Sequence, residues 1–270
     1  MFKRGWNSLI MALFVATCLS TAKAQTQHGI SFGTGTANVL DTYLSPFSYK
    51  GSNIHFLWNT ERKVKTFGIE KLNFQTLLDI DASVLDNLAG NVNEYAGGVR
   101  FAMGWTKDLK QWQFQKSSLS LSAGPMISAY VGAVYNERNG NNPAQAKADI
   151  MIDLTARAKW NFLLFKKNMT LNYQIIWPMA GLAFSPNYGQ SYYEIFDKGN
   201  SDHNIIFANF VNMPSIRQHL SIDIPLKKTS QTRMKISYLG YFMQSKFNNL
   251  RYHSYTNTFM IGLTKFFKRL

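Results

Sequence analysis

One cysteine stands among the 270 residues, Cys18, and it lies within the first two dozen. The rest of the chain offers neither a disulfide nor a Cys-ligated zinc. After residue 24 no apolar run reaches the roughly 18 residues that a spanning helix needs. Acidic residues are scarce too, 15 Asp+Glu against 29 Lys+Arg, for a formal net charge of +14. The sequence contains no His-Glu-x-x-His and no Gly-x-Ser-x-Gly. GTGTA at 33–37 is a Gly-x-Gly with no helix after it, so it is not a nucleotide loop. His28, His55, His203, His219 and His253 have no metal-ligand spacing, and neither metal nor cofactor is expected.

The first 24 residues read as a secretory signal peptide. Lys3 and Arg4 form the basic region, Leu9 to Leu19 the apolar one, and Ala22-Lys23-Ala24 the cleavage site. Val15-Ala16-Thr17 ahead of Cys18 fits a lipoprotein signal poorly. Cleavage before Gln25 would remove three basic residues, leaving 26 against 15 and a net charge of +11. That balance suits phosphate-rich partners, and for an exported chain these are lipopolysaccharide headgroups rather than nucleic acid. A solvated basic surface accounts for the excess equally well.

What is present is alternation. In KADIMIDLTARAKWNFLLF, from residue 147, the residues Ala148, Ile150, Ile152, Leu154, Ala156, Ala158, Trp160, Phe162 and Leu164 share one parity. Lys147, Asp149, Asp153, Arg157 and Lys159 occupy the other. A strand sends alternate side chains to opposite faces, so one face is apolar and the other ionic. EKLNFQTLLDIDASV repeats the rule with Leu72, Phe74, Leu78, Ile80 and Val84 against Lys71, Asn73, Gln75, Asp79 and Asp81. SSLSLSAGPMISAYVGAVY, MTLNYQIIW, HLSIDIPL and RMKISYLGYF follow it. Several runs exceed the 9–11 residues of a tilted membrane strand, whereas strands of soluble sandwiches average about 5–6. Trp105, Trp112, Trp160, Trp177 and Phe267 sit toward run ends, where interfacial girdles belong.

The pattern predicts an all-β fold: one closed antiparallel transmembrane barrel over residues 25–270, in the outer membrane of a Gram-negative bacterium. Its apolar parity meets lipid, and Lys71, Asp79, Asp81, Lys147, Asp149, Asp153, Arg157 and Lys159 line or fill the lumen. Eleven runs are visible, at 28–37, 49–60, 66–84, 95–107, 112–133, 145–164, 168–178, 203–211, 216–226, 232–246 and 250–268. Bacterial barrels close with an even number. Turns expected near 61–65, 107–111, 165–168 and 227–231 share the periplasmic side only if one more strand lies between 179 and 200. That predicts twelve strands, with ten as the fallback; loops at 85–94 and 134–144 are expected outside.

The stretches NVLDTYLSP, FSPNYGQSYYEIF and NLRYHSYTNTFMIG resemble an uncharacterised outer-membrane barrel family of Bacteroidota, a domain of unknown function, over most of the chain. The resemblance implies a barrel and an outer-membrane location, and it lends no catalytic residues. NTFMIGLTKFF also resembles the C-terminal signal read by the barrel-assembly machinery, with Lys268-Arg269-Leu270 extending beyond the usual terminal Phe.

The function expected from this reading is a narrow or plugged channel, or an envelope-structural protein, in contact with outer-membrane lipid. The alternative is an acyl hydrolase acting on phospholipid or lipid A. That chemistry needs a His-activated Ser oriented by a polar residue, and RYHSYTN offers His253 and Ser254, with Asp41, Glu194 and His203 as distant partners. Adjacent residues on a strand point to opposite faces, so His253 cannot serve Ser254 without a bulge. Tyr192 and Tyr193 beside Glu194 suit either a sugar or lipid contact or ordinary girdle packing.

Overall fold

The computed structural model of the chain describes residues 26–66, 68–140, 142–227 and 231–267. The expected signal peptide, Cys18 and the 228–230 segment lie outside the described residues, as does the side chain of Lys71.

Alternation becomes strand wherever it was read. The elements are β1 Thr26–Asp41, β2 Ser48–Thr66, β3 Ile69–Asp86, β4 Asn93–Gln113, β5 Ser117–Asn136, β6 Ala144–Leu164 and β7 Lys167–Phe184. After them come a single helical turn, α1 Tyr192–Phe196, then β8 Ile205–Asn209, β9 Ser215–Pro225, β10 Thr232–Phe247 and β11 Leu250–Phe267. All pairings are antiparallel. The first and last strands pair from Thr26 with Phe267 to Asp41 with Tyr252, and this closes the sheet on itself. Closure leaves no sheet edge, which is the condition for a β-structure in lipid.

The wall has ten strands, with β8 as an extra piece, so the expected twelve is corrected to the fallback number. No strand forms between 185 and 204; residues 179–184 simply prolong β7, and the rest is loop and α1. The even count comes instead from β8 and β9 sharing one place beside β7. Ile176 stands opposite Arg217 in β9, and Ala180 stands opposite Asn209 in β8. Four steps along β7 thus match eight on its partner, so four residues are extruded. Asn209 and Asn212 hold that excursion, since the Asn209 side chain accepts from the N–H groups of Val211 and Asn212. Turn-forming asparagines of this kind compete locally with the ladder. A second irregularity lies opposite Ile152 and Asp153, which pair with Ala180 and Pro178. Proline has no N–H for the ladder, and a bulge accommodates it.

The two faces part as the parity demands. Ile150, Ile152, Leu154, Ile127, Val131, Ile80 and Ile261 are exposed on the outside, Ile152 at 57 %. Asp149, Asp153, Thr155 and Arg157, their alternates on β6, are buried inside the barrel. Strands of 16–21 residues make most of the wall. They exceed the 9–11 residues of a tilted membrane strand.

Both ends of the described chain lie at one rim, together with the ends of β2, β4, β6 and β9 and the starts of the strands that follow them. The turns expected at 61–65 and 107–111 lie within β2 and β4. Their charged residues lie within the strands, and the chain reverses instead between the end of β2 and the start of β3 and at 114–116. The opposite rim carries the longer loops 42–47, 87–92, 137–143 and 185–204. Short turns inside the periplasm and long loops outside are the usual arrangement. Epitope tags at Asn91 and Gly140 are therefore expected to label on intact cells, and tags at Lys116 and Lys167 only after permeabilisation. Surface labelling at Lys167 would reverse the orientation.

Candidate functional site

The inward side chains form a layered interior. At the loop end, Ala37, Val39, Leu44, Tyr49, Leu85, Val92 and Val134 make one apolar cluster, and Met151, Ala183, Ala208, Met213, Met243 and Phe247 make another. Loops are tied to one another at the same end. Tyr43 Oη donates to the Gln190 carbonyl at 2.8 Å, Asn139 Nδ2 to the Leu44 carbonyl at 3.1 Å, and Asn248 Nδ2 to the His203 carbonyl at 3.0 Å.

Next to these clusters lies an ionic chamber of about 60 Å³, lined by Asp41, His55, Asp79, Asp81, Arg100, Tyr130, Lys147, Asp149, Arg217 and Tyr241 among others. Its charges are largely paired. Arg100 holds Asp149 through two nitrogens at 3.0 and 3.3 Å, Lys147 meets Asp41 at 2.9 Å, and Arg217 reaches Asp153 at 3.4 Å. His55 Nδ1 is 3.0 Å from Asp79. The Arg100 guanidinium lies 4.6 Å from the Tyr130 ring and 5.7 Å from the Tyr241 ring, and Lys147 is 3.8 Å from the ring of Tyr252. Gly98 and Gly132 face each other beside Tyr130; a Cβ on either would come within 2.6 Å of the Tyr130 hydroxyl. Their bareness is what lets that ring lie flat against the wall under Arg100.

Below the chamber Leu57, Leu77, Ala102, Ile176 and Leu239 narrow the lumen to a cavity of about 30 Å³, which they line together with Asp79, Arg100 and Arg217 from the chamber above and Gln174 and His219 from the layer below. Beneath them, Glu61, Arg157, Lys159, Asp223 and Lys235 share another of about 20 Å³. Arg157 grips Glu61 with two bonds, 2.6 and 2.9 Å, and Gln75 and Gln174 exchange amide bonds at 2.8 and 3.0 Å. All three spaces are small, and the ionic chamber is the roomiest of them.

The expected site residues separate into these layers. Asp79, Asp81, Lys147, Asp149 and Asp153 fall in or beside the chamber, and Arg157 and Lys159 fall below the apolar waist. Lys71 lies on β3, with its side chain outside the described residues. His253 and Ser254 diverge. Ser254 faces the chamber, whereas the His253 ring is on the outer face, stacked on Tyr255 at 4.5 Å and 3.3 Å from Asn38 Oδ1. Asp41 faces inward to Lys147, and His203 sits in the outer loop with a positive φ of 61°. Glu194 caps α1: it accepts from the Ser191 N–H at 2.8 Å, and the Glu194 N–H donates to the Ser191 hydroxyl. Those bonds hold the Glu194 carboxyl below its ordinary range. Tyr192 Oη accepts from the Ala146 N–H, which docks the same turn on β6. The structure thus brings none of the four partners, Ser254, Asp41, Glu194 or His203, to His253.

His55, Glu61, Arg100, Arg217, Tyr130, Tyr241, Asp223 and Lys235 were missed by motif reading, because they belong to no motif. Parity was the available signal: Asn53, His55, Asn59 and Glu61 share the inward face of β2. The waist also had one, since Leu57 and Leu77 are apolar residues on otherwise polar parities. Among the described residues no cluster of three or more His, Cys, Asp or Glu could hold a metal, and no helix is long and apolar enough to cross a membrane.

The chain belongs to a family described as "Protein of unknown function (DUF3316)", whose model matches residues 9–270. No curated protein matches the sequence. Solved barrels are similar at low identity. The transport unit of the autotransporter AIDA-I from Escherichia coli is 8 % identical, with 93 % of this chain and 91 % of that one covered and a TM-score of 0.48. The outer membrane protease OmpT from Escherichia coli is 9 % identical over 90 % and 96 %, at 0.43. The translocator domain of autotransporter NalP from Neisseria meningitidis is 9 % identical over 96 % and 94 %, at 0.37.

The Glu61–Arg157 pair is the clearest test of how the lumen is held. Losing one partner of a buried ion pair leaves a charge stranded, at about 3–5 kcal/mol. Arg157→Gln and Glu61→Gln should each lower stability by that order in urea unfolding of the lipid-reconstituted barrel. The double variant should lose much less than the sum. Additive losses would mean that the two side chains do not act as a pair.

Proposed function

We propose that this protein is a non-conducting outer-membrane barrel of a Gram-negative bacterium, an envelope-structural element whose lumen is packed rather than open. The observation carrying this reading is how fully the interior is filled: an apolar mouth, cross-lumen ion pairs, and Leu57, Leu77, Ala102, Ile176 and Leu239 leave lumen spaces of only about 60, 30 and 20 Å³. A conducting path needs continuous water at the width of an ion, and here paired charges and the apolar side chains between them narrow the lumen to spaces of a few tens of Å³. Assembly by the barrel-assembly machinery and contact with outer-membrane lipid, including lipopolysaccharide phosphates, follow from the same reading.

The acyl-hydrolase alternative gains nothing from the geometry. Its base and nucleophile lie on opposite faces of β11, and the carboxylates Asp41 and Glu194 are engaged elsewhere.

Purified protein in planar bilayers is expected to give no steady conductance, and incubation with phospholipid or lipid A is expected to release no fatty acid. Large, long-lived conductance steps would overturn the packed-lumen reading. Fatty-acid release that disappears in His253→Ala would put the hydrolase in its place.

A further inference from the structure

The outer wall where β10 meets β11 carries a feature that the lumen does not explain. Side chains on its outer face change character in order toward the loop rim. Ile261 and Phe259 are exposed and apolar, at 68 and 72 %. Above Phe259 comes Asn257, whose side-chain oxygen accepts from the Tyr238 hydroxyl, and then the aromatics Tyr255 and Phe242, with ring centres 6.0 Å apart. Above them are Gln244 and His253, and at the top Lys246 and Arg251. The register sets Phe242 opposite Tyr255, Gln244 opposite His253 and Lys246 opposite Arg251. The gradient runs from hydrocarbon through an aromatic belt to the headgroup level, as the physics of an interface arranges it.

The top of that ladder is unusual. Lys246 and Arg251 are like charges directly opposite each other, a pairing that weakens a sheet. Elsewhere on the same rim the register does the opposite, setting Lys50 against Asp86. Geometry fixes the cation pair in place. The hairpin is the two-residue turn Asn248-Asn249, both with positive φ (50° and 63°), so its neighbours cannot slip apart. Beside the pair the four-residue excursion between β8 and β9 leaves a groove of about 340 Å³. Leu40, Val211, Pro214 and Tyr255 give it an apolar side, and Lys246 and Arg251 line it as well. No carboxylate lines it.

We infer that this groove binds a phosphate-bearing lipid of the outer leaflet, with a phosphate between Lys246 and Arg251 and an acyl chain descending along Tyr255 toward Phe259. Charge complementarity selects the headgroup. Two opposed cations are relieved by an anion, and a guanidinium offers paired donors to phosphate oxygens. The apolar wall below selects an amphiphile over a free ion. Gln244 and His253 lie between, at the level of a sugar or ester linkage, where they can exchange hydrogen bonds with it. This inference rests on the outer-membrane siting proposed above.

The test uses the full-length barrel purified in detergent, with folding checked by heat-modifiable gel mobility. Native mass spectrometry would compare retention of lipid A carrying its phosphates, of the same lipid stripped of phosphate, and of inorganic phosphate. Retention is expected only for the phosphorylated lipid, and Lys246→Gln/Arg251→Gln should weaken it about tenfold or more. Lys246→Glu should abolish retention while raising the melting temperature of the lipid-free barrel, because it turns a repulsive cross-strand pair into an attractive one. Equal retention of dephosphorylated lipid, competition by inorganic phosphate at similar concentration, or unchanged retention in the double variant would each overturn the inference. Siting is judged separately, by fractionation of cells: a folded barrel absent from the outer membrane would sink the siting without touching the retention result.

Discussion

A closed wall in lipid cannot leave a charged side chain to find a partner outside, and the interior of this barrel follows from that constraint. Every ionic residue of the inward parity faces a narrow space in which only other inward residues can answer it. Burying an unpaired charge costs far more than a pair contributes, so the charges meet across the lumen. Arg100 with Asp149, Lys147 with Asp41, Arg217 with Asp153 and Arg157 with Glu61 are four such meetings. They join β4 with β6, β6 with β1, β9 with β6 and β6 with β2. Strand β6 takes part in all four, and it is the strand with the most regular alternation in the sequence.

That arrangement also explains why the interior is layered. Ten strands enclose little space. Aromatic rings at Tyr130, Tyr241 and Tyr252 occupy part of it and shield the cations from water. Leu57, Leu77 and Leu239 fill space between the Arg100 and Arg217 pairs above and the Glu61–Arg157 pair below. Such an interior is built from salt bridges, amides and a few apolar side chains.

Much of this was legible in the sequence, because a period of two is a strong signal in runs as long as 66–84, 112–133, 145–164 and 250–268. All eleven strands coincide with runs of alternation, and the outward parity of Ile152 and Leu154 could be read directly. The strand count could not. Evenness is satisfied as well by joining two runs as by adding one, and alternation does not reveal that 203–211 and 216–226 take one place beside β7. The four extruded residues that make the difference, Val211 to Pro214, look like any loop. Turn positions at 61–65 and 107–111 were also misplaced, because lysine-rich strand ends have the composition of turns. The partners of the lumen charges were hidden for a different reason: Arg100 and Asp149 are 49 positions apart, and only closure brings them together.

The central claim is that the lumen is sealed by its own side chains at the waist. The most direct measurement is the reactivity of a cysteine placed there, in a protein whose only native cysteine is Cys18. Leu239→Cys in the folded, lipid-reconstituted barrel should resist small water-soluble thiol reagents added from either side and react promptly once the barrel is unfolded in urea. Rapid modification of the folded protein would mean that water passes the waist, and would contradict the account.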